Sequence, residues 1–341
     1  MVFPIGMVAP SASLRKRAHY SATGQAVSLY TPVEKDYVAI QWVFQNRCNY
    51  RCSYCEKNTY SSSVPTLDKK LVLDFLANTL RDLEKDGKRL IVEFAGGEIT
   101  LVVYLGEMCE LLKKHDSIVT IITNGHRSVE WWKSHADFFD KVIMSYHHEF
   151  AVRERYVENV EILSGLGHLQ LHLPIMMLPD VEVFQQTAQL AMEIKDKLIQ
   201  QEKSFSLSAM PLRLRLSDPN SPYYEYTPEQ WTFLNDFHGD NAAKPSAYVP
   251  RARLQRHFAN GEIDQFSPMT TWNNESFFGW QCFAGVENFC INDQGEIFRS
   301  WCGLPPVGNI GNGGLPRNLA PVICPREACL CGFDLCSTKI I

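Results

Sequence analysis

Cys48-Asn49-Tyr50-Arg51-Cys52-Ser53-Tyr54-Cys55 stands directly after the apolar run Tyr37–Phe44. Three thiols in the pattern Cys-x3-Cys-x2-Cys can wrap one face of a metal centre. A structural zinc takes four ligands, usually as two separated pairs. No fourth ligand stands beside these three in sequence, which favours an iron–sulfur cluster with one iron left open to a small molecule. A zinc site is the competing reading of the triplet alone.

Outward from this loop, β-rich and helical segments alternate. Apolar runs predict strands at Tyr37–Phe44, Leu90–Ala95, Ile118–Thr123, Val142–Ser145, Leu169–Met177 and Ser206–Leu216. Helical periodicity falls between them, near Lys69–Glu84, Leu101–Lys114, Val129–Phe139, Arg153–Leu163 and Val181–Leu198. A sixth helix is predicted from Thr227-Pro228-Glu229-Gln230, which supplies an N-cap, a proline at the first helical position and a capping-box glutamine. Successive βα units require a parallel sheet with right-handed crossovers. Eight would close a TIM barrel. Six predict an α/β fold, a partial (β/α)6 TIM-like barrel over 37–237, with function at the carboxyl ends of its strands.

Residues 1–36 read as an N-terminal extension and 238–278 as a connection in which Arg251–Ala259 predicts a short helix. From Gly279 to Ile341 the texture changes to glycine, proline, cysteine and short strands, including a hairpin around Asp293-Gln294-Gly295-Glu296. A domain this small and poor in aliphatic residues needs a metal or disulfides.

Two further segments extend the pattern. Phe94-Ala95-Gly96-Gly97-Glu98 ends the second predicted strand, and Thr123-Asn124-Gly125 ends the third. In this order, the cysteine loop, the Gly-Gly-Glu turn and the Thr-Asn-Gly turn resemble the radical S-adenosylmethionine (SAM) enzymes. The resemblance implies that Cys48, Cys52 and Cys55 hold a [4Fe–4S] cluster whose open iron chelates SAM. It further implies one-electron cleavage of SAM to methionine and a 5′-deoxyadenosyl radical, which takes hydrogen from an unactivated carbon. Tyr54 stands where the family has an aromatic residue beside the adenine. Gly96, Gly97 and Glu98, with Thr123, Asn124 and Ser145, correspond to segments that contact SAM. Each of these turns alone is equally an ordinary strand-to-helix connection.

On the substrate side, Leu169, Leu171, Leu173 and Ile175 share one face of the fifth strand, which turns Gln170, His172 and Met176 into the lumen. A hydrogen-bonded core histidine is the alternative for His172. Arg213 and Arg215 alternate with leucines in the sixth strand and suit a carboxylate or phosphate, unless they mark an exposed strand end. His147 and His148 follow Ser145, where a proton shuttle or substrate contact is chemically sensible. His147, His172 and Arg213 are the candidate catalytic residues. Cys109, among apolar positions of a helix, reads as a buried thiol.

Of 11 cysteines, seven follow Gln281: Cys282, Cys290, Cys302, Cys324, Cys329, Cys331 and Cys336. This segment resembles the auxiliary-cluster extensions called SPASM and twitch, through Cys282-Phe283-Ala284-Gly285, the hairpin, Cys302 and Gly308-Asn309-Ile310. The full SPASM Cys-x2-Cys-x5-Cys-x3-Cys segment is absent, so the resemblance implies one auxiliary [4Fe–4S] cluster. Its ligands would be Cys282 and Cys302 with two of Cys324, Cys329 and Cys331. Cys290 reads as core and Cys336 as a spare or a cap; a structural zinc remains the competing occupant.

Composition narrows the rest. A net charge of -5 argues against a protein built on nucleic-acid phosphate contacts, and no apolar run reaches the length of a membrane span. The first twenty residues lack a continuous apolar core, so a secretory signal is not expected. An organelle transit peptide is the alternative, since Arg15, Lys16 and Arg17 precede the first acid, Glu34. The expected place is a reducing cytoplasm, where clustered cysteines act as metal ligands.

The resemblance implies a flavodoxin or ferredoxin as electron donor and two enzyme readings. The first is a maturase acting on a ribosomally made precursor peptide. The second is a dehydrogenase or epimerase of a sugar-like small molecule in natural-product assembly. The residues before the first strand are too few for a fused leader-recognition domain, so the first reading calls on a separate leader-peptide-binding protein. A non-catalytic cluster scaffold is a third reading, and it predicts no SAM cleavage.

Overall fold

The computed structural model describes residues 19–20, 24–56, 60, 65–215, 221–240, 254–266, 277–326, 329 and 332–341. The chain divides into two compact units, one of residues 42–67 and 92–249, the other of 1–41, 68–91 and 250–341.

The predicted partial barrel is present. Strands Tyr37–Gln45, Arg89–Gly96, Ile118–Thr123, Lys141–Met144, Gln170–Met177 and Ser206–Pro211 hydrogen-bond in that spatial order, with a short His238–Asp240 strand after the sixth. The pairs from the third strand to the sixth are parallel, in registers such as Thr123 opposite Met144 and His172 opposite Ser206. Helices Leu105–Lys113, Val129–His135, Arg153–Ser164, Val181–Gln200 and Pro228–Asp236 follow strands two to six, and Lys69–Lys85 follows the first.

Two-fold alternation drives the sheet. Leu171, Leu173 and Ile175 are fully buried on one face of the fifth strand, while Gln170, His172 and Met176 are half-buried on the other. The helices obey the longer period. Val181–Gln200 starts at Asp180, whose carboxylate accepts the Glu182 and Val183 N–H groups at 3.1 and 3.0 Å. It buries Phe184, Leu190, Ile194 and Leu198 along one stripe. Each such side chain contributes about 1.5–3 kcal/mol on burial. The exposed Arg153–Glu193 pair on the outer surface contributes at most about 1 kcal/mol, so apolar burial decides where this helix lies. The capping box before Pro228 forms as expected: Gln230 N–H donates to Thr227 Oγ1 at 3.3 Å, and Thr227 N–H to Gln230 Oε1 at 2.9 Å. Cys109 is fully buried in its helix, as expected of a core thiol.

The sixth strand is shorter than its leucine pattern predicts, ending at Pro211 rather than Leu216. Beyond it the chain turns back on itself. Leu214 N–H donates to Pro222 O at 2.9 Å and Tyr224 N–H to Leu212 O at 3.0 Å.

In the other unit an antiparallel sheet runs Ile263–Phe266, Leu254–Phe258, Ala26–Pro32, Lys339–Ile340, Gln281–Cys282 and Val322–Ile323. The helix predicted at Arg251–Ala259 is therefore a strand where it is described. Leu254 and Phe258 are both buried, a spacing that a helix and a strand satisfy alike. The strand is favoured by its partners: Arg256 makes a bidentate pair with Asp264 across the ladder, at 3.0 and 2.6 Å. The hairpin of Asn288–Ile291 and Glu296–Phe298 closes on Gly295, at φ 76°, with Asn292 Oδ1 accepting from Gln294 and Glu296 N–H. Among the described residues no helix is long and apolar enough to cross a membrane.

Candidate functional site

The cysteine loop emerges from the first barrel strand, and backbone pairing fixes where it goes. Gly97 N–H donates to Gln45 O and Glu98 N–H to Arg47 O, both at 2.7 Å. This close approach explains both glycines. A Cβ at Gly96 would lie 2.4 Å from Gln45 O, and one at Gly97 would lie 2.1 Å from Arg47 O. Gly96 also has φ 129°, open in practice only to glycine.

Glu98 is completely buried. One carboxylate oxygen accepts from Thr100 N–H at 3.0 Å, Thr100 Oγ1 at 2.6 Å and Thr123 Oγ1 at 2.8 Å, and the other accepts from Asn124 N–H at 2.7 Å. Burial raises its pKa, against the pull of these donors. The carboxylate thus ties the end of the second strand to the end of the third. Asn124 carries the tie onward, donating from Nδ2 to Asn49 Oδ1 at 2.9 Å and lying 3.6 Å from Cys48 Sγ.

Cys52, Tyr50, Tyr54 and Leu212 form one buried cluster, with Cys48, Cys55, Met176 and Tyr224 packed against it. Burial pushes the Cys48 thiol up to about 11, and a hydrogen bond with Cys55, then burial, raises Cys52 well above its ordinary value. The three soft sulfur donors border one apolar cluster, and this donor set is of the kind that an iron–sulfur cluster takes.

His147, at the end of the fourth strand, meets the loop directly. Its Nδ1 lies 2.7 Å from Tyr54 Oη and 3.7 Å from Cys52 Sγ, and the Tyr54 and His147 rings are stacked within 12° of parallel. Burial lowers the imidazole pKa to about 4 and raises that of Tyr54. The imidazole is therefore neutral and the phenol protonated near neutral pH, and the histidine tautomer sets which of the two donates in this hydrogen bond. Sequence reading missed Glu149, two residues on, which accepts from Ser53 N–H at 2.6 Å and Ser53 Oγ at 2.5 Å and so clamps the cysteine loop. No spacing rule marks it; its one signal is an acid at a strand end.

The other candidates lie elsewhere. Ser145 is half-buried, its N–H donating to Thr123 O at 2.8 Å. His148 faces Thr187 Oγ1 at 3.3 Å. His172 shares the lumen face with Met176 but sits four residues, about 13 Å, back along the strand, with Nδ1 3.2 Å from Ser206 Oγ. Arg213 lies over the Tyr223 ring at 4.1 Å and donates to Ser221 O and Tyr223 Oη at 2.7 and 2.9 Å. Its guanidinium is spent on its own loop, and Arg215 is exposed.

In the other unit Cys282, Cys324, Cys329 and Cys336 share one buried cluster with Phe277, Trp280 and Leu335. Burial, with the charges of Asp334, Cys324 and Cys282, raises the half-buried Cys302 thiol to about 12. Burial also raises Cys329, on which Cys302 and Cys282 act in turn. Cys290 lies fully buried in its strand, its sulfur 3.9 Å from Asp334 Oδ1. Cys331 falls outside the described residues. Among the described residues no three side chains converge on a point at single-ion spacing.

The chain thus carries three cysteines in the loop that follows the first strand of a partial (β/α)6 barrel. Residues 42–148 match the model of the Radical SAM superfamily. Over 81 residues it is 30% identical to the putative peptide biosynthesis protein YydG of Bacillus subtilis (strain 168); that match spans 24% of each chain. Among solved structures it is similar to anSMEcpe with bound AdoMet, with 15% identity, 81% of this chain and 75% of that one covered, and a TM-score of 0.48. It is also similar to Streptococcus suis SuiB bound to S-adenosylmethionine, with 12% identity, coverage of 82% and 64%, and a TM-score of 0.42. A third is BtrN in complex with AdoMet and 2-DOIA, with 12% identity, coverage of 81% and 79%, and a TM-score of 0.40.

Proposed function

We propose that this protein is a peptide maturase that cleaves SAM reductively and removes hydrogen from an unactivated C–H bond of a ribosomally made precursor peptide. The packing of Cys48, Cys52 and Cys55 around one apolar cluster carries the first half of this reading. The second half is supported by the likeness to a putative peptide biosynthesis protein.

Cys48, Cys52 and Cys55 would hold the [4Fe–4S] cluster, which with SAM would supply the reductive cleavage that hydrogen abstraction needs. The chain's own residues set the stage for it. Gly96 and Gly97 let the second strand run against the base of the loop. Glu98, through Asn124, positions Cys48 rather than meeting a ligand with its buried carboxylate. Glu149 clamps Ser53, and Tyr54 with His147 walls one side of the recess. Tyr50, Leu212 and Met176 keep that recess apolar, which excludes water and protects a reactive radical.

Cys282, Cys302, Cys324 and Cys329 would hold one auxiliary [4Fe–4S] cluster, since these four sulfurs act on one another electrostatically. A flavodoxin or ferredoxin in a reducing cytoplasm would supply the electron. The reading is tested by incubating the reduced, reconstituted protein with SAM and synthetic peptides encoded beside its gene. Peptide-dependent formation of 5′-deoxyadenosine with a mass change in the peptide supports it. SAM cleavage stimulated by a sugar-like small molecule and by no peptide would overturn the substrate class.

A further inference from the structure

Lys339 is buried to 1% exposure, an environment that an ammonium ion enters only at a cost. Its three N–H bonds go to the carbonyl oxygens of Asp334, Leu335 and Ser337, at 2.8, 3.0 and 2.9 Å. The ammonium also lies 4.9 Å from the centroid of the Phe277 ring. Neutral acceptors satisfy its hydrogen bonds and leave its charge in place. A methionine would fill the same space without that charge, so packing alone does not account for a lysine here.

The charge has an identifiable audience. In the antiparallel pairing of Gln281–Cys282 with Lys339–Ile340, Lys339 stands directly opposite Cys282. Directly opposed residues project from the same face of a sheet, with Cβ atoms about 4.5–5.5 Å apart. Cys329 and Cys336 act on the ammonium together with Cys282 and the Asp334 carboxylate. Three carbonyl acceptors call for three N–H donors, which only the charged ammonium carries. Asp334 meets Lys339 through its main-chain carbonyl, while its carboxylate accepts from Asn288 Nδ2 and Trp301 N–H. Cys282 is thus the sulfur that shares a sheet face with the cation.

We propose that Lys339 is the built-in counter-charge of the auxiliary centre, a positioning residue that raises the reduction potential of an iron–sulfur cluster held by Cys282, Cys302, Cys324 and Cys329. This rests on the auxiliary-cluster reading above. Four thiolates leave such a cluster net negative, and reduction adds one more negative charge. A fixed cation in a dry site favours the reduced form.

The test uses the full chain carrying Cys48→Ala, Cys52→Ala and Cys55→Ala, reconstituted anaerobically so that the auxiliary centre alone is read. Its midpoint potential is followed by electron paramagnetic resonance during redox titration, with and without Lys339→Met. The expected result is retained iron and an at least tenfold fall in the reduced-to-oxidised ratio at fixed potential, equivalent to about 59 mV for a one-electron couple. An unchanged potential with iron retained overturns the role of Lys339. If Lys339→Met assembles no iron, Lys339→Arg decides: iron at the parent potential supports the counter-charge, and loss of iron in both variants overturns it. Absence of iron from the parent triple variant overturns the auxiliary centre itself, an outcome that no Lys339 substitution can imitate.

Discussion

Tyr54 Oη lies 2.7 Å from His147 Nδ1, across a gap between the cysteine loop and the end of the fourth barrel strand. The two rings are stacked, and the same Nδ1 lies 3.7 Å from the sulfur of Cys52. One hydrogen bond therefore joins the middle of the cysteine loop to the sheet that carries it. Tyr54→Phe keeps the ring and leaves His147 Nδ1 without this partner. The expected loss is about 1–3 kcal/mol of unfolding free energy, read by urea denaturation of the apoprotein. An unchanged midpoint would mean that the bond does not brace the loop.

The glycines of the Gly-Gly-Glu turn predict a contrast within one short stretch of chain. Gly97→Ala would drive a methyl group against the backbone oxygen of Arg47 and is expected to cost at least about 3 kcal/mol. Gly106, inside the helix Leu105–Lys113, has nothing within 4 Å of a built Cβ, and Gly106→Ala should add about 0.4–1 kcal/mol. Equal effects at the two sites, read by urea denaturation, would refute the close-approach explanation.

His126 gives the fold a pH dependence of known sign. Burial, then Arg127 and Arg155, lowers its pKa from 6.5 to about 4. The folded state then binds fewer protons than the unfolded one between those values, so stability is full above pH 6.5 and falls as the pH drops toward 4. His126→Gln should flatten that decline, measured as urea midpoints at pH 7 and pH 5. A variant with the wild-type slope would place the titration elsewhere.

How much of this was legible in the sequence varies with the range of the interactions. The barrel declared itself because each of its strands is apolar on a two-residue period and each is followed by a helix that covers it, as Leu171, Leu173 and Ile175 illustrate. Cys48, Cys52 and Cys55 could be read because one loop carries all three. The antiparallel sheet could not: Tyr30 pairs with both Arg256 and Lys339, and nothing local to Ala26–Pro32 names partners so far along the chain. For the same reason Cys336 looked like a spare and Lys339 drew no notice, since their place beside Cys282 depends on a two-residue strand. Arg213 misled because Leu212 and Leu214 continue a strand pattern that Pro211 has already ended. The network around Glu98 was not legible either, since the four donors to its carboxylate come from Thr100, Thr123 and Asn124 across two strand ends.

The most direct test of the central claim is the yield of 5′-deoxyadenosine from SAM by the anaerobically reconstituted, reduced protein. The account predicts this product from the wild type and its loss when Cys48, Cys52 and Cys55 are replaced by alanine. A protein that retains iron at these three cysteines and yet forms no 5′-deoxyadenosine, or a triple variant with undiminished yield, would contradict it.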